Sequence, residues 1–114
     1  MLRGTIVLVP FPFDDFKSNK VRPAVCLTEP TGIHSHIVLA FISSRVTIDL
    51  LETDIILDSS LPDFAETGLR VSSTLRLHRL MTTTTDFLSR KLGTVSVRVQ
   101  KEIKRGLLRL FSLD

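Results

Sequence analysis

The 114-residue sequence contains one cysteine, Cys26, and neither tryptophan nor tyrosine. A single cysteine excludes an internal disulfide and a zinc site built from cysteine pairs. Because its neighbours Val25 and Leu27 are apolar, we expect a buried thiol rather than a catalytic one. Glycine and proline number five each and no heptad pattern is sustained, which excludes collagen-like and coiled-coil chains.

Long hydrophobic runs are also missing. No segment reaches the roughly 18–20 apolar residues that a membrane-spanning helix needs, so we expect no membrane partner. The N-terminal residues lack the charged region and the cleavage site of a signal peptide, and a reduced, cytoplasmic setting is the expectation. With 43% hydrophobic and 24% charged residues, the composition is typical of a globular protein, and the length predicts one domain over residues 1–114.

Positive charge exceeds negative charge only slightly, with 15 Lys and Arg residues against 12 Asp and Glu residues. A net charge of +3 does not by itself indicate a nucleic-acid partner. The acidic residues concentrate in residues 49–66 and the basic residues in residues 70–105. This asymmetry is compatible with an anionic ligand on one side of the molecule, and a solvated helix face explains part of the same pattern.

Short strands dominate the hydrophobic pattern. Apolar runs rich in β-branched residues predict strands at residues 5–11, 22–28, 36–44, 52–57 and 70–83, and a short β-piece or turn at residues 94–95 after a break at Gly93. The first run is apolar on both faces. It therefore needs cover from a barrel interior on one side and from a helix or a partner chain on the other.

The apolar period becomes helical near the C-terminus. One helical stripe contains the residues Val99, Ile103, Leu107, Leu110 and Phe111. Ser96 is the predicted N-cap, and Gly106 weakens the middle of the helix unless close packing requires it. Several strands followed by one helix predict a mainly β fold, a small barrel or curled sheet with the helix packed across it.

Compact catalytic and phosphate-binding motifs are absent from the sequence. His34 and His36 lie two residues apart beside a turn, which is a weak metal-ligand pattern, and we expect no metal site. Arg22 begins the second predicted strand, and its guanidinium suits phosphate oxygens. Taken alone, however, this position favours a structural ion pair or a hydrogen bond to the loop at residues 14–21. Ser43 and Ser44 end the third predicted strand, where a serine hydroxyl either binds phosphate or forms a turn.

Arg76 and His78 are the most specific pair in the sequence. Being two residues apart on a predicted strand, they share a face and lie roughly 6.5–7 Å apart at their backbones. An arginine stabilises charge on phosphate oxygens, and a histidine moves protons near neutral pH, so the pair suits phosphodiester cleavage. The alternative is a solvated strand face.

Four segments of the chain match one family pattern. They are GTIVLVPFPFDD at residues 4–15 with VRPAV at 21–25, FISS at 41–44, TGL at 67–69 with STLRLHRL at 73–80, and KLGTVS at 91–96. Together they resemble the PemK/MazF family of toxin ribonucleases, in the family's order and over nearly the whole chain. The resemblance implies an SH3-like β-barrel with a C-terminal helix, a homodimer, a cognate antitoxin protein as partner, and cleavage of single-stranded RNA without metal or other cofactors.

The resemblance also implies roles for individual residues. Arg22, Ser43 and Arg76 match family positions that hold the reacting phosphate, while His78 stands where the family often has aspartate. His78 then either removes the ribose 2′-hydroxyl proton or marks a loss of acid–base function. Two further departures are Thr5 in place of an acidic residue and a helix start without acidic residues.

RNA contacts are expected around this centre. The candidate RNA-binding residues are Phe13, Asp14, Lys17, Lys20, Ser44, Arg45 and Ser73, and bases stack on Phe11, Phe13 or Phe16 unless these side chains belong to the core. Attack of the 2′-hydroxyl on the adjacent phosphate would leave a 2′,3′-cyclic phosphate and a 5′-hydroxyl. Two alternatives remain open, an inactive barrel that binds RNA or an antitoxin, and a gyrase poison, which the missing tryptophan disfavours.

Overall fold

The computed structural model of the protein describes residues 1–10, 20–46 and 48–114. The strands are β1 (Thr5–Pro10), β2 (Val21–Cys26), β3 (His36–Ser43), β4 (Asp54–Leu57), β5 (Ser73–Thr84) and β6 (Arg90–Thr94), and the helix α1 spans Val97–Leu110. Short 3₁₀ helices lie at Pro62–Thr67 and Thr85–Phe87. The predicted fold class, mainly β with a C-terminal helix, is confirmed.

The six described strands form one antiparallel sheet in the order β4-β5-β3-β2-β1-β6. Two irregularities bend this sheet. The β3–β5 register shifts between Ala40 and Phe41, and the β1–β6 register shifts between Ile6 and Val7. Because bulges bend a strand and increase its twist, the sheet curls into a half-barrel instead of lying flat.

Side-chain alternation divides the apolar residues between the two faces of the sheet. The helix face carries the core that packs against α1, and its sheet residues include Ile6, Val25, Ala40, Ile42, Ile55 and Leu75. The opposite face, called the far face below, carries a second core of Val7, Val9, Ala24, Cys26, Ile37, Leu39 and Phe41. Both sides of β1 are therefore buried within this chain, as its doubly apolar sequence predicts.

The prediction of a break at Gly93 is wrong, because the last strand spans Arg90–Thr94 and Gly93 lies inside it, paired with Ile6. Glycine is required there by a close approach of two backbones. A Cβ on Gly93 would lie 2.2 Å from the Glu66 carbonyl oxygen and 2.5 Å from the Thr67 carbonyl carbon. The missing side chain lets the 3₁₀ helix at Pro62–Thr67 pack directly on β6.

The predicted helix is confirmed, with Ser96 as its N-cap, because the Ser96 hydroxyl accepts a hydrogen bond from the Val99 amide at 3.2 Å. Gly106 lies against the sheet, where a Cβ would meet Leu77 Cδ1 at 2.4 Å, so close packing explains this glycine. The predicted apolar stripe is too long by one residue. Phe111 follows the helix and is 56% exposed.

A carboxylate from elsewhere in the chain compensates for the missing acidic residues at the helix start. Asp63 accepts hydrogen bonds from the Ser96 hydroxyl at 2.7 Å and from Arg98 Nε at 2.9 Å. These bonds, that from Arg98 foremost, hold the pKa of Asp63 below its ordinary value. A negative charge at a helix N-terminus is favourable, so Asp63 stabilises α1 from 33 residues away.

The single thiol is buried, as predicted. Cys26 lies in the far-face core, and burial, with a smaller contribution from the Glu29 carboxylate, raises the pKa of this thiol to about 11. A thiol is nucleophilic only when ionised, so Cys26 has no catalytic character. In the described ranges, no helix is both long enough and apolar enough to cross a membrane.

Candidate nucleic-acid interface

Three of the four predicted catalytic residues lie on the far face of the sheet. Arg22 is directly opposite Val9 and alternates along β2 with the far-face residues Ala24 and Cys26. Its side chain is half-buried at the beginning of the strand. Because directly opposed and alternate residues share a face, Arg22 lies at the polar end of the far-face core.

Ser43 extends the same face on the neighbouring strand. It ends β3 two residues after Phe41, a far-face core residue, and pairs with Thr74 of β5. Ala24 pairs with Phe41. Arg22 and Ser43 each lie two residues beyond this last pair of β2 and β3, so alternation places them on the same face at the same end of neighbouring strands.

Arg76 lies on the third strand of this row, opposite Phe41 on one side and Asp54 of β4 on the other. Its guanidinium donates two hydrogen bonds to Asp54, from Nε to Oδ1 and from Nη2 to Oδ2, each 3.2 Å long. The Asp54 side chain is fully buried, whereas 21% of the Arg76 side chain is exposed. The pair therefore fixes the guanidinium and leaves part of it accessible from solvent.

The segment after β3 carries Ser44 and Arg45, both exposed, next to this row. Two hydrogen bonds hold this segment. The Arg45 amide donates to Ser43 Oγ at 3.3 Å. Thr74 is fully buried, and its hydroxyl donates to the Arg45 carbonyl oxygen at 2.7 Å. No motif in the sequence singles out Thr74, whose hydroxyl ties the Arg45 backbone to β5.

His78 is exposed and does not lie on a regular strand with Arg76. Arg76 pairs with Phe41 and Leu80 pairs with Ala40, so residues 77–79 form a bulge without partners on β3. Regular alternation, on which the predicted Arg76–His78 pairing depends, is interrupted at this point. The same bulge brings Arg79, which sequence reasoning missed, to within 5.3 Å of the centre of the Phe41 ring.

The remaining predicted RNA-binding residues divide into three groups. Lys20 is exposed and directly precedes β2, beside Arg22. Ser73 is not brought to this surface, because it is buried on the helix face opposite Leu57 and donates its hydroxyl hydrogen bond to the Val71 carbonyl oxygen. Phe13, Asp14 and Lys17, together with Phe11 and Phe16, lie outside the described residues.

His34 and His36 are the two residues with metal-ligand spacing in the sequence. The imidazole rings of His34 and His36 are 5.8 Å apart. Within residues 1–10, 20–46 and 48–114, no three His, Cys, Asp or Glu side chains come close enough together to hold a metal ion.

Arg22, Ser43 and Arg76, called the far-face row below, have the chemistry to bind an anion. Arg22 and Arg76 supply charged donors, Ser43 supplies a hydroxyl, and Lys20 and Arg45 add positive charge at the margins. Guanidinium donors match phosphate oxygens in geometry and charge. Since several phosphates in succession need several cations, a row of this kind suits an extended phosphate backbone better than a single ion.

Comparison with solved structures identifies close matches in fold. The Mycobacterium tuberculosis toxin MazF-mt6 has a TM-score of 0.73 and 21% identity, covering 96% of this chain and 98% of that chain. An endoribonuclease in complex with its cognate antitoxin from a mycobacterial species has a TM-score of 0.72 and 15% identity, covering 100% and 97%. MazF from Deinococcus radiodurans gives 0.70 and 18%, covering 96% and 94%.

Sequence comparison defines the family. A search of curated proteins finds no match. The sequence profile of the PemK-like, MazF-like toxins matches residues 2–111, nearly the whole chain, and agrees with the four motif segments that resemble this family. The chain therefore belongs to the PemK-like, MazF-like toxins of type II toxin–antitoxin systems.

Proposed function

We propose that this protein is an endoribonuclease that cleaves single-stranded RNA without a metal ion or other cofactor. The common face of Arg22, Ser43 and Arg76, which come from three different strands, carries the proposal. Membership of the toxin family supports it. Similarity of fold to a protein described as an endoribonuclease from a mycobacterial species, with a TM-score of 0.70, is consistent with it.

The proposed reaction uses a nucleophile from the substrate itself. The ribose 2′-oxygen forms a bond to the adjacent phosphorus, and the bond from phosphorus to the 5′-oxygen of the next nucleotide breaks. The products are a 2′,3′-cyclic phosphate and a 5′-hydroxyl. Because the attacking group is already tethered beside the phosphate, proximity supplies much of the rate, and the enzyme needs no bound activator. Only RNA carries this hydroxyl.

In this proposal the protein supplies charge stabilisation and one proton acceptor, and the departing 5′-oxygen takes up its proton from solvent water. Arg22 and Arg76 bind the non-bridging phosphate oxygens, whose negative charge grows in the transition state, and the Ser43 hydroxyl donates a further hydrogen bond. His78 accepts the 2′-hydroxyl proton, because an imidazole takes up and releases protons near neutral pH. The neighbouring RNA backbone is bound by Lys20, Ser44 and Arg45, with Phe13, Asp14 and Lys17 from the preceding segment.

A cleavage assay in EDTA tests the proposal. Purified protein incubated with a long single-stranded RNA should give discrete fragments that end in a 2′,3′-cyclic phosphate and begin with a 5′-hydroxyl. A single 2′-deoxy substitution at a mapped cut site should prevent cleavage at that site alone. A requirement for added magnesium, or fragments with 5′-phosphates, would contradict the reaction as written.

Substitutions test the residues. Arg22→Ala and Arg76→Ala should each lower kcat/KM by at least about a hundredfold, the scale typical of losing a transition-state donor. Arg105→Ala is the matched control, because it removes the same charge from an exposed position on α1. Equal activity of all four proteins would remove the far-face row from the mechanism.

A binding-only function is the second candidate, and one observation favours it. The family's aspartate is replaced by His78, which lies in a bulge instead of on a regular strand beside Arg76. A barrel of this kind would bind RNA and leave it intact, with an affinity that falls steeply as salt rises. Uncut RNA in the EDTA assay, together with such binding, would select this function over the nuclease.

Two partners are also proposed. A cognate antitoxin would bind this chain and inhibit it, and a structure of similar fold is described as an endoribonuclease in complex with its cognate antitoxin. The active form would be a homodimer, as the family resemblance implies. Sedimentation equilibrium at several concentrations tests the dimer, and a mass equal to one chain at all of them would exclude it.

A further inference from the structure

Arg79 has a position that neither the family motif nor the proposed reaction uses. Leu77 belongs to the helix-face core and Leu80 packs against it. In a regular strand, residues three positions apart would lie on opposite faces. The bulge at residues 77–79 resolves this and turns Arg79 toward the far face, where its guanidinium carbon lies 5.3 Å from the centre of the Phe41 ring. The bulge therefore has a specific consequence, the placing of one cation.

Phe41 and Arg79 differ in exposure. Phe41 is 5% exposed, whereas Arg79 is exposed at the surface, so the ring supports the guanidinium from the protein side and solvent reaches it from outside. A cation over an aromatic face is attracted by the ring quadrupole. Among the described residues, no carboxylate forms an ion pair with Arg79, in contrast to Arg76, which Asp54 holds.

Phe41 and Arg79 lie a short distance from the far-face row of Arg22, Ser43 and Arg76. Phe41 lies between Ala24 and Arg76 on the neighbouring strands, and Ser43 is two residues further along β3 on the same face. Two strand residues span about 7 Å. A nucleotide whose phosphate lies among Arg22, Ser43 and Arg76 therefore has a neighbouring base within reach of the Arg79 guanidinium.

We infer that Arg79, supported by Phe41, is a binding site for the nucleobase adjacent to the cleaved linkage. A guanidinium plane can stack on an unpaired base. Bases in single-stranded RNA are free to leave their neighbours and stack in this way. A phosphate bound to Arg79 would instead make its contact with the RNA backbone, so the loss on Arg79→Ala would be the same whichever base is missing. The inference rests on the proposed binding of single-stranded RNA by this face.

Binding to an RNA that cannot be cleaved tests the inference separately from catalysis. The probe is a short single-stranded RNA from a mapped cut site, with 2′-deoxyribose at that site, titrated at fixed salt. Arg79→Ala should weaken binding about tenfold, the scale of one stacked base. Arg79→Lys should weaken it nearly as much, because an ammonium has no plane to stack, and Arg105→Ala should leave binding unchanged.

A series of probes lacking one base each identifies the stacked nucleotide. Wild-type protein should lose affinity for the probe abasic at one position beside the cut site, and Arg79→Ala should bind that probe as well as the wild type does. Full binding by Arg79→Lys, or an Arg79→Ala loss that is equal for every abasic probe, would mean a phosphate contact and would overturn the inference.

The outcomes separate the two proposals. A wild type that cleaves RNA while Arg79→Ala binds every probe normally would overturn only the base site. A wild type that binds but does not cleave would overturn the nuclease, and the base site would still be decided, using a probe obtained by selection for binding in place of one from a cut site.

Discussion

Arg76 and Asp54 form a bidentate ion pair across neighbouring strands, with the carboxylate fully buried and the guanidinium partly exposed at the far face. The carboxylate also accepts a hydrogen bond from the Leu51 amide at 2.8 Å. Asp54 is thus held by backbone on one side and holds Arg76 on the other. This arrangement makes Asp54 a positioning residue for a guanidinium that the proposed reaction needs.

Replacing Asp54 should lower both stability and activity. Asp54→Asn leaves Arg76 half-buried without its countercharge. We expect a loss of about 2–4 kcal/mol in the free energy of unfolding. This is less than the full cost of breaking a completely buried pair, because Arg76 is partly exposed. Urea titration measures this. Cleavage should fall mainly through kcat, because a misdirected guanidinium loses more transition-state stabilisation than ground-state binding.

Glu52→Gln provides the matched control for Asp54→Asn. Glu52 pairs with Arg109 at an exposed position, and exposed ion pairs contribute little. We expect a change under about 0.5 kcal/mol and unchanged cleavage. Equal effects of the two substitutions would show that burial of Asp54 has no energetic importance.

Gly93→Ala should be among the most destabilising small substitutions in this chain. The added Cβ meets backbone atoms of Glu66 and Thr67 at 2.2–2.6 Å, and backbone cannot move aside as a flexible side chain can. We expect a loss of about 3 kcal/mol or more, the scale of overpacking in a well-packed site, measured by thermal and urea unfolding.

Gly32→Ala is the comparison for Gly93→Ala. Gly32 has a φ of +79° and no atom within 4 Å of an added Cβ, so its substitution costs only the strain of a left-handed backbone, about 1 kcal/mol. A Gly93→Ala protein as stable as Gly32→Ala would contradict the close packing of the 3₁₀ helix on β6.

Asp63 predicts a particular dependence of stability on pH. Because hydrogen bonds from Arg98 and Ser96 lower its pKa in the folded protein, the folded state releases this proton more readily than the unfolded state does. The resulting stabilisation is fully present above the unfolded pKa, near pH 4, and is lost as the pH falls through the lower folded value.

Asp63→Asn should therefore be less stable than the wild type at pH 7, with a difference that narrows progressively below about pH 4. Urea titrations of both proteins at several pH values from neutral to acid measure the difference. Glu29 and Asp58, whose pKa values are also lowered, contribute to the acid loss in both proteins and cancel from the comparison. A gap that stays constant with pH would contradict the charge-based role of Asp63.

Alternation within each strand was enough to predict most of this fold. Local sequence is enough to show that Ala24 shares a strand face with Arg22 and that Phe41 shares one with Ser43. The amphipathic period of α1 is also a local feature. The pairing of Asp54 with Arg76 could not be predicted, since 22 residues separate them and nothing local sets the β4–β5 register. Arg79 was missed for a similar reason, because a bulge changes which side chains share a face.

Thr74 links the fold to the candidate site through a single hydroxyl. Its residue is fully buried, and the hydroxyl donates to the Arg45 carbonyl oxygen at 2.7 Å. Thr74→Val keeps the shape and removes the donor, so we expect a loss of about 1 kcal/mol in the free energy of unfolding. Thr74→Ser keeps the donor and should retain the hydrogen bond. If the tethered backbone of Arg45 guides RNA toward Ser43, Thr74→Val should raise KM for RNA more than Thr74→Ser does, at equal kcat. A rise in KM that is larger for Thr74→Ser than for Thr74→Val would show that the packing of the methyl group, and not the hydrogen bond, is what the site requires.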